Sequence, residues 1–400
     1  MLRYLFIALS APLTTSAVTL SLSDIAPRVR DHHPALKAAR LSVEEARGRQ
    51  LGSGRLSNPA LNTSFQNESR VSPRTTLFGI DQSFPLTRRL SLEKKLTAQL
   101  VNAAEHEVRD VERRYTALAR SLAVKLLALD KQRALRQQQT ALAQKLSDFA
   151  RDRAKAGELS PLDAVQAQVD SQRLLLEARR IEIESTSLQG ELKPMLGIKP
   201  QDTLTLAGDL PLLSLSESKD WQQRADYQLA QTRIKAAQTD AELAKARRMS
   251  DVSAGFFASR EQQDVTPRHT ERTGFVGFHF SIPLPFWNRN QGEIAEKAAT
   301  AERALLESEA LAAQITGEAD TARREMQANA ALATDTRDKL LPLVIEQTSK
   351  LEKAYESGQA DLLAVLRARD QRLQLESAAL DAMRDFHLAR IRYESATGQP

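Results

Sequence analysis

The chain has 400 residues, of which 42% are hydrophobic but only 5% aromatic; it contains no cysteine and carries a formal net charge of +5. The missing cysteine excludes disulfides, thiolate metal sites and a cysteine nucleophile. The basic residues alternate with acids along the chain instead of clustering, which excludes a nucleic-acid footprint, and the scarcity of aromatics favours long helices packed along narrow stripes over a thick core.

In chain order, residues 1–17 read as a secretory signal, with Arg3, an apolar run from Leu5 to Leu13, and Thr15-Ser16-Ala17 as a small-residue cleavage site. A first structural repeat is expected over 18–198. It opens with a helix capped near Ser23-Asp24 and interrupted at His33-Pro34, and Ser57-Asn58-Pro59 ends that helix. Strands follow at about 60–68 and 75–84, joined by a polar turn containing Pro73. Leu61, Thr63 and Phe65 alternate with Asn62, Ser64 and Gln66, and Thr76, Phe78, Ile80 and Phe84 alternate with Leu77, Gly79, Asp81 and Ser83, so each strand has one apolar-leaning face.

A helix without internal Pro or Gly is expected over about 88–155. Val108, Tyr115, Leu122 and Leu129 are seven apart, Val111 and Leu118 fill the positions between, and Leu135, Leu142 and Phe149 continue a coiled-coil seam. At about 1.5 Å per residue such a helix measures on the order of 100 Å. Gly157 to Pro161 forms a turn, with Ser160 capping a helix over 160–196. Residues 199–219 read as a linker in which Leu204-Thr205-Leu206 suggests a short strand.

A second repeat is expected over 220–400: a helix to about Arg248, strands at about 252–259 and 273–282 around an exposed loop with Pro267, a long helix over 291–357 kinked at Pro342, a turn at Gly358, and a helix over 361–397. On the last strand Val276, Phe278, Phe280 and Ile282 share one face, and Gly277, His279 and Ser281 the other. The spacing supports a duplication: Gly157 to Gly197 and Gly358 to Gly398 both span 40 residues, the pairs lie 201 apart, and Pro85 and Pro283 lie 198 apart.

Four amphipathic strands cannot close a membrane barrel, and open edges are not tolerated in lipid, so strands that span a membrane must be pooled among several copies. Three copies would give twelve strands, within the range of outer-membrane barrels. Phe84, Phe286 and Trp287 stand where strand meets helix, the place of an interfacial aromatic girdle, and Val276, Phe278 and Phe280 are candidates to face lipid. No run of about 18 apolar residues follows the N-terminus, so no membrane-spanning helix is expected.

The duplicated hairpin-and-helix unit, Ser57-Asn58-Pro59, Gly157-Glu-Leu-Ser-Pro-Leu-Asp163 and the run Ile-Pro-Leu-Pro-Phe-Trp-Asn-Arg-Asn-Gln-Gly-Glu-Ile over 282–294 resemble the TolC family of trimeric outer-membrane efflux channels, most closely its heavy-metal branch. The resemblance covers nearly the whole chain. It implies a mostly α-helical protein with a small membrane β-barrel: a homotrimer with a shared twelve-stranded barrel on a periplasmic helical barrel. It further implies a passive exit duct for a periplasmic adaptor and an inner-membrane RND pump, exporting heavy-metal cations. Drug efflux or type I secretion is the alternative cargo reading, and a poreless periplasmic scaffold or adaptor the alternative architecture.

The resemblance makes Gly157, Glu158, Leu159 and Gly358 candidate adaptor contacts at the periplasmic tip. Asp163 and Tyr355 match a pair of gate positions, while Ala360, Ala364 and Arg367 replace the basic partner and acidic ring of such tips, so that Arg367 is a candidate to pair with Asp163 instead. Nothing in the sequence suggests an enzyme or a cofactor. His32, His33, His106, His269, His279 and His387 form no i, i+4 pair, no glycine-rich phosphate loop is present, and no metal site is expected.

Overall fold

The computed structural model describes residues 17–67, 74–215, 220–266 and 269–399, so most of the expected signal and the turn around Pro73 lie outside the described residues. The elements are β1 (Ala17–Leu20), α1 (Leu22–His32), α2 (Pro34–Gly52), β2 (Ala60–Asn67), β3 (Arg74–Phe84), α3 (Arg89–Lys155), α4 (Pro161–Met195), β4 (Thr203–Leu206), α5 (Ala225–Ala246), β5 (Val252–Thr266), β6 (His269–Ser281), α6 (Gln291–Thr334), α7 (Leu341–Glu356) and α8 (Leu362–Ala396). They form two compact units.

One unit comprises the chain up to Ala38, Arg109–Arg224 and Ala313 onward. Its main core gathers Ile25 and Val29 of α1, Ala119 to Ala128 of α3, Leu192 of α4, Leu204 and Leu206 of β4, and Ile391 of α8. β1 and β4 pair in parallel, from Ala17↔Thr203 to Leu20↔Leu206. This surround explains a departure from the expected seam. Around Leu122–Leu129 the α3 helix is buried on most of its circumference, at Ala123, Val124, Leu126, Leu127 and Ala128 as well as at the heptad positions, whereas Leu118, Leu142 and Phe149 stay exposed within the chain. The first helix begins one residue after Ser21, whose backbone N–H donates to the Asp24 carboxylate at 2.8 Å, so Ser21 and not Ser23 is the cap.

The expected kink at Pro342 takes a different form. Residues Asp335–Leu340 form a π-helical turn and α7 restarts at Leu341, with Pro342 in its first turn. The proline ring cannot donate a backbone bond and crowds the carbonyl four residues earlier; widening the preceding turn relieves both.

The other unit comprises Ala39–Val108 and Ala225–Ala312. It holds a four-stranded antiparallel sheet in the order β2-β3-β5-β6, which joins the hairpins of the two repeats through β3 and β5. β5 and β6 continue to Thr266 and from His269, where a loop over 260–272 was expected. Over 260–263 and 270–272 both faces carry polar residues, so the hydropathy alternation that marks a strand disappears although the backbone ladder continues. The run 282–294 acquires a local reason in this unit. Asn290 takes a left-handed conformation (φ 58) at the start of α6, and its side-chain amide donates to the Ala244 carbonyl at 3.1 Å and to Glu293 at 2.6 Å, which ties α6 to the end of α5.

Candidate functional site

The sheet sorts its residues by face. The register aligns Leu61, Ile80, Phe256 and Phe278 in one cross-strand row, and Thr63, Phe78, Ala258 and Val276 in the next. Phe278 and Phe256 have ring centroids 5.3 Å apart, and Phe65 meets Phe78 edge-on at 6.0 Å. This apolar face is uncovered within the chain: Val276, Phe278 and Phe280 are 75%, 76% and 77% exposed. A cross-strand aromatic face of this kind is too large and contiguous for a surface that meets only water. Phe84 ends β3 at the helix-proximal end of the sheet, and Phe286 and Trp287 follow the helix-proximal end of β6, with Trp287 91% exposed and its ring 6.1 Å from that of Phe286.

The opposite face is more polar, with Leu77, Phe257 and Phe275 as its large apolar exceptions. Asn62, Gly79, Phe257 and Gly277 form one row, and Ala60, Asp81, Gly255 and His279 the next. His279 Nε2 lies 3.0 Å from Asp81 Oδ1, at ion-pair distance although out of hydrogen-bond alignment, while the Asn62 side-chain amide donates to the other Asp81 oxygen. The intervening strand leaves room because it carries Gly255: a Cβ there would sit 2.0 Å from Asp81 Oδ1 and 2.2 Å from His279 Cε1. The charged or titratable residues of this face are Asp81, Glu261, Glu271 and His279, with no Lys or Arg among the described positions. Sequence alternation places Asp81 and His279 on the polar phase of their strands, but their juxtaposition depends on a register between strands that no local pattern reveals.

The two hairpin turns of the helical unit repeat one geometry. Gly157 (φ 77) and Gly358 (φ 74) take the left-handed conformation that closes a helix, and the next backbone N–H, of Glu158 or Gln359, donates five residues back at 2.9 and 2.7 Å. Ser160 then caps α4 by accepting from Leu162 N at 3.2 Å, and Asp361 caps α8 by accepting from Leu363 N and Ala364 N. Glu158 pairs with Arg153 at 2.6 Å, and the Arg153 guanidinium sits 5.1 Å from the centre of the Phe149 ring. Leu159 packs against the cluster of Ala150, Ala167 and Leu362, so it supports the turn from within, whereas Gly157, Glu158 and Gly358 are exposed.

Tyr355 packs against the same cluster and meets Phe149 edge-on at 6.2 Å. Burial raises its phenol above the usual value; Arg153 opposes this and the nearby Asp163 carboxylate adds to it. No hydrogen bond joins Tyr355 to Asp163, however, and Arg367 is exposed and does not pair with Asp163. An ion pair between the same two helices is made about three turns beyond Asp163 on α4 and about one turn beyond Arg367 on α8. Arg173 of α4 pairs with Asp370 of α8 at 2.6 Å and with Asp170 at 3.2 Å, and Gln374 holds the second Asp370 oxygen at 2.8 Å. The hydrogen bond from Arg173 to Asp370 raises the Arg173 value further, and burial raises that of Asp170. Arg173–Asp370 joins the two helical hairpins of the chain; only its i, i+3 partner Asp170 was readable from sequence.

Among the described residues no helix is long and apolar enough to cross a membrane, and no group of three or more His, Asp or Glu residues is placed to hold a metal ion.

A four-stranded antiparallel sheet combined with paired helical hairpins, built from two repeats of one unit, is the fold of the TolC-family outer-membrane channels, and this chain has that fold. Its structure superposes on the outer membrane protein VceC of Vibrio cholerae with a TM-score of 0.76 at 18% identity, covering 94% of this chain and 96% of that one. CusC gives a TM-score of 0.79 at 17% identity, covering 96% and 94%, and the open state of the MtrE outer membrane channel of Neisseria gonorrhoeae gives 0.73 at 14% identity, covering 98% and 94%. In sequence the chain is 25% identical over 264 residues to the cobalt-zinc-cadmium resistance protein CzcC of Cupriavidus metallidurans; the match takes in 64% of this chain and spans 58% of that relative's length. No family model matches the chain.

Proposed function

We propose that the protein is an outer-membrane exit duct that catalyses no reaction. Three copies pool their sheets into one twelve-stranded barrel, and the helical unit of each lies in the periplasm. The carrying observation is the sheet itself: an uncovered aromatic face on one side, a more polar face on the other, and free edges at β2 and β6 among the described residues. Lipid tolerates the aromatic face only if every backbone group is paired, and joining β6 of one copy to β2 of the next achieves that. Val276, Phe278 and Phe280 then face lipid, with Phe84, Phe286 and Trp287 at the periplasmic interface.

In this reading the duct docks through the tips at Gly157, Glu158 and Gly358, with Leu159 beneath them, onto a periplasmic adaptor served by an inner-membrane RND pump. The cargo is heavy-metal cations. The similarity to CzcC supports that class, as does the more polar sheet face with acids and no fixed cation among the described residues. The gate lies at the same end as the turns: Asp163, Tyr355 and Arg367 line it, and Arg173–Asp370 holds the two hairpins together. Deleting the protein in its host should lower the tolerated concentration of cobalt, zinc or cadmium salts. Unchanged metal tolerance with new sensitivity to dyes or detergents would move the duct to drug efflux.

A further inference from the structure

The apolar face of the sheet does not end in water-facing neutral residues. Its row furthest from the helices among the well-paired positions is Arg74, Gln262 and Arg272, and Arg260 stands two residues nearer the helices on the central strand β5, in the row Thr76, Arg260 and Gly274. Strands about 4.8 Å apart put the Arg74 and Arg272 backbones about 10 Å from each other, with Arg260 about 7 Å along the strand between them. All three are exposed. Three like charges gathered on one side of a sheet repel one another, so the arrangement favours a bound anion. Of the acids of this region, Glu261 and Glu271 belong to the opposite face, and the register places the Asp264 position on the arginines' face beyond Gln262.

The position along the strand specifies the anion. From Phe84 at the helix-proximal girdle to Arg74 is ten residues of β3. That is about 33 Å of strand, or about 25 Å of depth at a tilt of about 40°, the height of the apolar band of an outer-membrane barrel. The arginines therefore lie at the far edge of the lipid-facing band, at headgroup level. Beside Arg260, Gly274 leaves open space: a Cβ there would meet nothing within 4 Å. A planar guanidinium binds a phosphate through paired N–H groups, and its alkyl stem lies against the apolar surface below.

We propose that Arg74, Arg260 and Arg272 form a binding site for the phosphate groups of an outer-leaflet lipid, whose acyl chains lie on the aromatic face beneath. The site rests on the reading that this sheet spans a membrane. The test uses the purified full-length protein in neutral detergent, loaded with diphosphoryl lipid A and passed through size exclusion, with retained lipid measured by native mass spectrometry. Each Arg→Gln substitution should weaken retention about fivefold, and the triple variant R74Q/R260Q/R272Q about a hundredfold, whereas His279→Gln on the other face should leave it unchanged. The triple variant retaining lipid A like the wild type overturns the site. Full displacement of lipid A by equimolar inorganic phosphate overturns the lipid assignment. Flotation with phosphatidylcholine vesicles separates this from the underlying reading: wild type and triple variant should both float, and a wild type that does not float overturns the membrane-spanning sheet together with the site. Single variants Arg74→Gln and Arg272→Gln decide the matter if the triple variant fails to fold.

Discussion

Replacing Phe278 with Arg separates a lipid-facing sheet from a water-facing one. Phe278 pairs with Phe256, which pairs with Ile80, four residues from Phe84 along β3. Those residues cover about 13 Å of strand, or about 10 Å of depth at a tilt of about 40°, close to the middle of an apolar band about 25 Å tall. Arginine near the midplane of a barrel costs about 2–4 kcal/mol. On a solvent-facing strand, a side chain already 76% exposed could be exchanged for Arg within about 0.5 kcal/mol. The two environments thus differ by more than the error of an equilibrium unfolding measurement. We expect Phe278→Arg to lower the stability of vesicle-reconstituted protein in urea by that larger amount and to reduce its yield in the outer membrane. His279→Arg, one residue along but on the polar face beside Asp81, should fall within about 0.5 kcal/mol of wild type. Equal stability of Phe278→Arg and wild type in lipid would refute the assignment of faces.

Two further outcomes follow from the helical unit. The Arg173–Asp370 pair is about half exposed, with side-chain exposures of 48% and 36%, so it contributes only about 0.5–1 kcal/mol per chain; Arg173→Gln should raise the single-channel conductance of the reconstituted protein, Tyr355→Phe should not, and a silent Arg173→Gln would remove this pair from the gate. Burial, assisted by Arg390 and opposed by the Pro211 carbonyl and Glu394, holds His387 below the usual imidazole value. The unfolded chain therefore takes up this proton first, so the contribution is full above about pH 6.5 and is lost as the pH falls through that value toward the lower folded one. The melting temperature should drop between about pH 7.5 and pH 5.5, and by less in His387→Gln; identical drops would exclude His387 as a source.

The legible parts of the fold were those governed by local rules. Glycines that must turn left-handed at 157 and 358, Ser160 with Pro161 behind it, and the alternation from Val276 to Ile282 each announce an element from its own residues. What escaped depends on contacts between distant segments. β1 is four residues long and gains its stability from β4, some 180 positions away in the chain. Residues 260–263 of β5 and 270–272 of β6 are polar on both faces, so only the ladder reveals them. The burial of α3 around Leu126 comes from β4, α1, α4 and α8 closing on one stretch, which a heptad count along a single helix cannot show. At the candidate site, residue types were readable but partners were not. Asp81 meets His279 because Gly255 clears the strand between them, and Asp370 meets Arg173 across two hairpins nearly 200 residues apart in sequence.

The most direct test of the duct is electrical. Protein extracted from the outer-membrane fraction and added to a planar lipid bilayer should run as a heat-resistant assembly of three chains and produce discrete single-channel current steps, with cations favoured over anions. A protein recovered from the soluble fraction as a single chain, leaving the bilayer electrically silent, would contradict the account.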